Sequence, residues 1–148
     1  MKYDLTLPKP AETFIPHRLP MRLVDTLISY QDAGGLVETV PAADGILVDA
    51  TGELDEVALV ELLAQGYAVI RGYEDRLHDR NVSEGYLVGV RKLRVNGRAR
   101  AGERLRIRIR TVGSFEKFAI AEGEIECAAK TIASGTIKLW IVGTGGAA

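Results

Sequence analysis

The chain has 148 residues, of which 47% are hydrophobic and 26% are charged, and its formal net charge is −1. These values are typical of one soluble globular domain with a sizeable core. No apolar stretch is long enough to span a membrane, and the first residues lack the apolar core of a secretion signal. Cys127 is the only cysteine, which excludes an internal disulfide. We therefore expect a protein of a reducing compartment, most simply the cytoplasm.

The N-terminal part predicts an arm, a turn and a hairpin. Residues 1–13 contain two prolines and are expected to form an extended arm. Two further prolines, Pro16 and Pro20, frame His17 and Arg18 and favour a fixed turn there. Alternating apolar residues then predict two strands joined by a Gly-rich turn. The predicted strands are 23–30 and 36–40, and a loop is predicted over 41–52.

The run from Val57 to Ile70 is almost wholly apolar and rich in Leu and Ala. It is too long for an ordinary strand and predicts a buried helix over 55–70, capped near Asp55 or Thr51. Glu61 interrupts the run, and Gln65 follows on the same helix face. A carboxylate in such surroundings costs free energy unless it is hydrogen bonded, so it is either satisfied by a partner or used in chemistry.

The rest of the chain predicts strands. Residues 104–110 alternate arginine with Leu or Ile, which indicates one buried and one wet face. A polar loop is expected over 71–84 and a flexible tail over 143–148. The predicted strands are 85–95, 104–110, 115–127 and 131–142. One apolar helix wrapped by a curved antiparallel sheet is an α+β fold, and we expect a single domain over 1–148.

Three stretches resemble the beta-hydroxyacyl-acyl-carrier-protein dehydratase family. Pro16–Asp25 is similar to its N-terminal Pro-His-Arg segment, and Val60–Gln65 is similar to the Glu-x-x-Ala-Gln of its central helix. Tyr86–Arg94, followed by Ala101–Leu105, is similar to its strand, basic turn and Pro-Gly-Asp-x-Leu stretch. The resemblance implies the hot-dog fold, a curved antiparallel sheet around one long central helix. It also implies dehydration of 3-hydroxyacyl thioesters held on acyl carrier protein.

The sequence departs from the usual family pattern before the central helix. The family carries its catalytic histidine there in a His-Phe-Pro segment, whereas residues 43–54 contain no histidine. The chain is most similar to the divergent branch associated with aryl polyene and related lipid clusters.

The resemblance implies roles for individual residues. Glu61 would be the catalytic acid, and His17 is the better of two histidines to replace the missing base. Gln65, Gly89 and Leu62 are the expected substrate-binding residues. His17 could instead brace the N-terminal turn. His78 lies in a charged stretch that we expect to be exposed.

Basic residues are concentrated in residues 91–110. They are either a solvated face or a docking surface for an acidic partner. By resemblance, the expected docking residues for acyl carrier protein are Arg91, Lys92, Arg94 and Arg98. No metal-ligand spacing or Gly-rich nucleotide loop occurs, so we expect no cofactor and no metal. We expect a homodimer or larger homo-oligomer, with no nucleic acid or membrane partner.

Two other functions remain open from the sequence. A thioesterase of the same fold would use Glu61 to activate water. A non-catalytic acyl-thioester-binding subunit, paired with an active homologue, would need no base.

Overall fold

The computed structural model describes residues 3–81 and 83–142. Within them, one long helix packs against a seven-stranded antiparallel sheet. The strands are β1 Lys9–Pro10, β2 Thr26–Gln31, β3 Gly34–Thr39, β4 Glu84–Val95, β5 Leu105–Phe115, β6 Phe118–Cys127 and β7 Lys130–Val142, and the helix α1 is Glu56–Leu77. Their spatial order is β1-β2-β3-β5-β6-β7-β4. The predicted α+β fold is confirmed.

Helix α1 begins as predicted and ends later than predicted. Asp55 is the N-cap and accepts a hydrogen bond from the Val57 backbone at 2.8 Å. The expectation of a polar loop from residue 71 was wrong, because the helix continues to Leu77. Its last turns hold the fully buried Asp75, whose carboxylate accepts hydrogen bonds from Arg71 and Arg80. The sequence of these last turns is polar and, read alone, favours a loop. In the structure, its charged side chains are instead stabilised by ion pairs with Asp75.

The helix contacts the sheet through glycines. A Cβ atom added at Gly66 would lie 3.1 Å from Ile107, and one added at Gly123 would lie 2.6 Å from Leu63. A larger residue at either position would push α1 away from β5 and β6. Gly135 on β7 is different, because the residue that packs on it is Leu93 of β4.

The N-terminal arm lies against the domain. Leu5, Ala11 and Phe14 are buried, and Lys9 and Pro10 pair with β2. The phenolic hydroxyl of Tyr73 on α1 donates to the Leu5 carbonyl at 3.2 Å. The predicted tail, residues 143–148, lies outside the described residues.

Strand β5 has the predicted buried and wet faces. Leu105, Ile107 and Ile109 are buried. The alternating arginines face carboxylates of the adjacent strands. Arg104 and Arg106 pair with Glu38 at 2.9 and 3.5 Å, Arg108 with Glu126 at 3.0 Å, and Arg110 with Glu122 at 3.1 Å. The four arginines of residues 104–110 are therefore neutralised by carboxylates of their own sheet, which is typical of a solvated face.

Strand β4 forms one edge of the sheet and pairs only with β7 among the described strands. Leu87 and Val90 lie opposite Leu139 and Ile137, which are buried on the helix side of β7. Yet Leu87 and Val90 remain 37% and 36% exposed. Helix α1 therefore leaves the apolar inner face of this edge uncovered. No helix of the described residues is long and apolar enough to cross a membrane.

Candidate active site

Glu61, His17 and Gln65 line one cavity of about 120 Å³. Three structural units supply its walls: the N-terminal turn, one face of α1, and the paired ends of β4 and β7. The other lining residues are Ala64, Tyr67, Ala68, Arg71, Ser83, Gly85, Leu87, Leu139 and Ile141. The cavity therefore lies beside the uncovered edge of the sheet. It brings together the acid and the base expected from the sequence.

Gln65 fixes the position of Glu61. Its side-chain amide nitrogen donates to Glu61 Oε1 at 2.9 Å and to the Met21 carbonyl at 2.9 Å, and its oxygen accepts from the Leu23 backbone at 2.7 Å. Gln65 is 2% exposed. In the described residues no hydrogen bond reaches the second carboxylate oxygen of Glu61, which leaves that atom available to a ligand.

His17 sits in a turn that Arg18 closes. One guanidinium nitrogen of Arg18 donates to the carbonyls of Ile15 and His17, both at 2.8 Å. His17 Nδ1 is buried without a hydrogen-bond partner. No hydrogen bond joins the imidazole to another described residue, so Arg18 rather than the imidazole braces this turn. Because His17 lines the cavity and its imidazole has no hydrogen-bond partner among the described residues, the ring is suited to bind or deprotonate a ligand.

Arg71 is a cavity residue that sequence reasoning missed. Its Nε donates to the buried Asp75 at 3.3 Å. Burial lowers the pKa of the Arg71 guanidinium, but Tyr67 and Asp75 more than offset this, and the pKa lies above its usual value. Burial also raises the pKa of Tyr67, with partial compensation by Arg71. The cavity thus contains a fixed cation and a neutral phenol. The only sequence signal was an arginine ten residues after Glu61.

Two of the expected substrate-binding residues, Leu62 and Gly89, lie outside the cavity that contains Glu61 and His17. Leu62 lines a second cavity, of about 220 Å³, between the start of α1 and residues 40–48. Gly89 lines a groove of about 640 Å³ on the outer side of β4 and β7, together with Lys138. Only Gln65 of the three shares the cavity of Glu61 and His17.

The expected docking residues fall into two groups. Arg91, Lys92 and Arg94 are exposed on β4, and Arg91 and Lys92 line the groove that also contains Gly89. No ion pair joins any of the three to another described residue. Arg98 differs, because it pairs with Glu53 at 3.0 Å.

The remaining candidates lie outside the cavity. Cys127 is buried, and burial followed by the nearby Glu103 raises the pKa of its thiol, which makes it a poor nucleophile. His78 is an exposed residue at the end of α1. Over residues 3–81 and 83–142, no group of three or more His, Cys, Asp or Glu residues could hold a metal ion.

A helix wrapped by a curved antiparallel sheet, with a glutamate and a histidine in one cavity, is the hot-dog fold of dehydratases and thioesterases. A model of the ApeP-like family, described as ApeP dehydratase, matches residues 9–142. The chain belongs to this family of dehydratases, as the divergent-branch resemblance predicted. A search of curated protein sequences gave no significant match.

Solved structures share this fold, and one of them is a dehydratase. The dehydratase heterocomplex ApeI:P from Xenorhabdus doucetiae matches with a TM-score of 0.84 and 25% identity, over 92% of this chain and 93% of that one. A hypothetical thioesterase with coenzyme A from Streptococcus pneumoniae matches with a TM-score of 0.63 and 12% identity, over 79% and 84% of the two chains. The protein smu.793 from Streptococcus mutans, bound to acetyl CoA, matches with a TM-score of 0.65 and 12% identity, over 86% and 94%. The last two share the fold alone.

Proposed function

We propose that this protein dehydrates 3-hydroxyacyl thioesters carried on acyl carrier protein to trans-2-enoyl thioesters, in fatty-acid-like or polyene biosynthesis. The observation that carries the proposal is the shared cavity of His17 and Glu61. Membership of a dehydratase family supports the reaction class. The similar structure from X. doucetiae, a dehydratase heterocomplex, agrees with that reaction class.

In this reaction, His17 acts as the base and Glu61 acts as the acid. The neutral His17 imidazole takes the proton from C2, and the electron pair of that C–H bond becomes the C2–C3 double bond. The C3–O bond breaks as protonated Glu61 gives its proton to the hydroxyl, which leaves as water. Gln65 holds one oxygen of Glu61, so the other is directed at the substrate.

The assay is incubation of the protein with a 3-hydroxyacyl carrier thioester and, in the reverse direction, with the enoyl thioester. Appearance of the enoyl thioester, detected by mass spectrometry of the carrier, supports the proposal. Release of free carrier thiol without an enoyl product would favour the thioesterase alternative.

A second candidate function is that of one subunit in a two-chain dehydratase. The similar structure from X. doucetiae is a heterocomplex, and residues 43–54 lack the usual histidine. A homologous hot-dog partner could supply that base. Turnover that depends on adding such a partner, and that survives removal of His17, would favour this candidate over the first.

The exposed edge of β4 suits a second copy or a homologous subunit, because an unpaired apolar strand edge readily pairs with another. If two β4 strands pair antiparallel and are centred on each other, the 91–94 end of one lies beside the 84–87 end of the other. The exposed cations of one copy would then lie beside the 84–87 end of its partner, on the outer face of the joined sheet. A carrier docked there would be close to the strand ends that line the partner's cavity.

A further inference from the structure

Arg71 and Glu61 line opposite ends of the same cavity. They are ten residues apart on α1, which places their Cα atoms about 15 Å apart along the helix axis. Between them the helix presents Ala64 and Ala68 to the cavity. These methyl groups line the apolar stretch between the two ends, which we call the channel.

The Arg71 guanidinium is held in place by a buried carboxylate. Asp75 is 0% exposed and binds Arg71 at 3.3 Å, Arg80 at 3.1 Å and the Ser83 backbone at 2.9 Å. The Arg71 contact uses its Nε atom, and the hydroxyl of Tyr67 also interacts with the guanidinium. A guanidinium fixed through one edge can present its other nitrogens to a ligand with little loss of entropy.

Arg71 is the one Lys or Arg side chain among the described residues that line the cavity, and the neighbouring Glu74 interacts with Tyr30 and Tyr67. Two guanidinium groups share the single Asp75 carboxylate. Of the acidic residues that follow in the chain, Asp79 is exposed, and Glu84 accepts a hydrogen bond from Tyr86. Glu84 and Tyr86 alternate with Gly85 and Leu87, which line the cavity, so they lie on the other face of β4. Arg71 is therefore an available cation at its end of the cavity.

We propose that Arg71 binds the phosphate of the phosphopantetheine arm when the thioester lies at Glu61 and His17. The inference rests on the proposed function and specifies where the phosphopantetheine arm of the substrate binds. The arm is a linear chain with a phosphate at one end and the thioester at the other. The channel likewise has a cation at one end and the acid–base pair at the other. Arginine binds phosphate through paired, charge-assisted hydrogen bonds.

The test compares two substrates that differ only in the phosphate. The 3-hydroxyacyl thioesters of pantetheine and of phosphopantetheine are assayed with the wild type and with Arg71→Gln. We expect the wild type to prefer the phosphorylated substrate, and Arg71→Gln to lower that preference in kcat/KM by about tenfold, mainly through KM. Arg71→Lys keeps the charge and should retain part of the preference.

Arg110→Gln is the matched control, because it removes an exposed arginine that pairs with Glu122 on the sheet. It should leave the preference unchanged. The idea is overturned if the wild type treats both substrates alike, or if Arg71→Gln lowers both rates equally.

Calorimetric binding of the free pantetheine and phosphopantetheine separates this inference from the proposed function. Tighter binding of phosphopantetheine that is lost in Arg71→Gln supports the site even if no dehydration is observed. Equal binding of both compounds by the wild type contradicts it, whatever the reaction proves to be.

Discussion

Gln65 joins the Glu61 carboxylate to the N-terminal segment that carries His17. Its amide nitrogen lies 2.9 Å from Glu61 Oε1 and 2.9 Å from the Met21 carbonyl, and its oxygen lies 2.7 Å from the Leu23 nitrogen. The amide can satisfy these three contacts in one orientation only. Gln65 thus sets the distance between helix α1 and the turn that holds His17, and so the width of the cavity between acid and base.

Gln65→Glu should harm both activity and stability. The new side chain is an acceptor facing the Met21 carbonyl and the Glu61 carboxylate, where a donor is needed. We expect a loss of about 1–3 kcal/mol in the free energy of unfolding, from urea titration, and at least a tenfold fall in kcat. Gln31→Glu makes the same change at an exposed residue of β2 and should affect neither. Unchanged turnover in Gln65→Glu would show that this contact does not position Glu61.

Glu61 and His17 should act as a pair. Glu61→Gln and His17→Ala should each lower kcat by about 10²-fold or more while the fold survives. In the double variant, the losses should be less than additive, because either group is useless without the other. If His17 is only structural, His17→Ala will lower the melting temperature and leave the turnover of the folded protein intact. Circular dichroism and steady-state kinetics on the same samples distinguish the two.

Carrier docking is expected to depend on the cations that have no ion-pair partner. Charge reversal of Arg91 together with Arg94 should weaken turnover of the carrier-linked substrate much more than turnover of a short free thioester. The effect should shrink at high salt, which screens exposed charges. The control is charge reversal of Arg108 together with Arg110, which changes the net charge equally. These arginines already pair with Glu126 and Glu122, so this control should not weaken turnover of the carrier-linked substrate selectively. Equal losses on both substrates would remove the docking role.

The edge of β4 should mediate self-association. Val90→Lys places a charge on its uncovered inner face and should shift the protein from dimer to monomer in light scattering. Val112→Lys is a control at another exposed apolar residue. A wild type that is strictly monomeric at micromolar concentration would contradict the predicted homodimer and favour a requirement for a different partner chain.

Asp75→Asn should destabilise the end of α1. The change removes the charge of a fully buried group, but Arg71 and Arg80 are 31% and 51% exposed, so we expect a loss of about 1–3 kcal/mol, less than for a fully buried ion pair. The free energy of unfolding from urea titration gives the loss. Asp79→Asn, at an exposed residue, should cost less than about 0.5 kcal/mol. A similar small value for Asp75→Asn would mean that water or Asn replaces the carboxylate without penalty.

The sequence alone determined the elements with clear periodicity. Alternation in β5 revealed its buried Leu105, Ile107 and Ile109, because a period of two is a local property of the strand. The long apolar run revealed α1, and the polar Glu61 and Gln65 within it pointed to the candidate site. The position of His17 between two prolines marked a rigid turn, whatever the turn was used for.

Only the tertiary structure decided how these parts combine. The last two turns of α1 look like a loop in sequence, because their stability depends on Asp75 meeting Arg80 and Ser83. The role of Arg71 was equally hidden, since its cavity is closed by β4 and β7 residues from as far away as Ile141. For the arginines of residues 104–110, the sequence left open a solvated face or a docking surface until carboxylates on β3 and β6 were found opposite them. In each case the deciding interaction joins residues that are distant in the chain or separated by a turn, which local periodicity does not record.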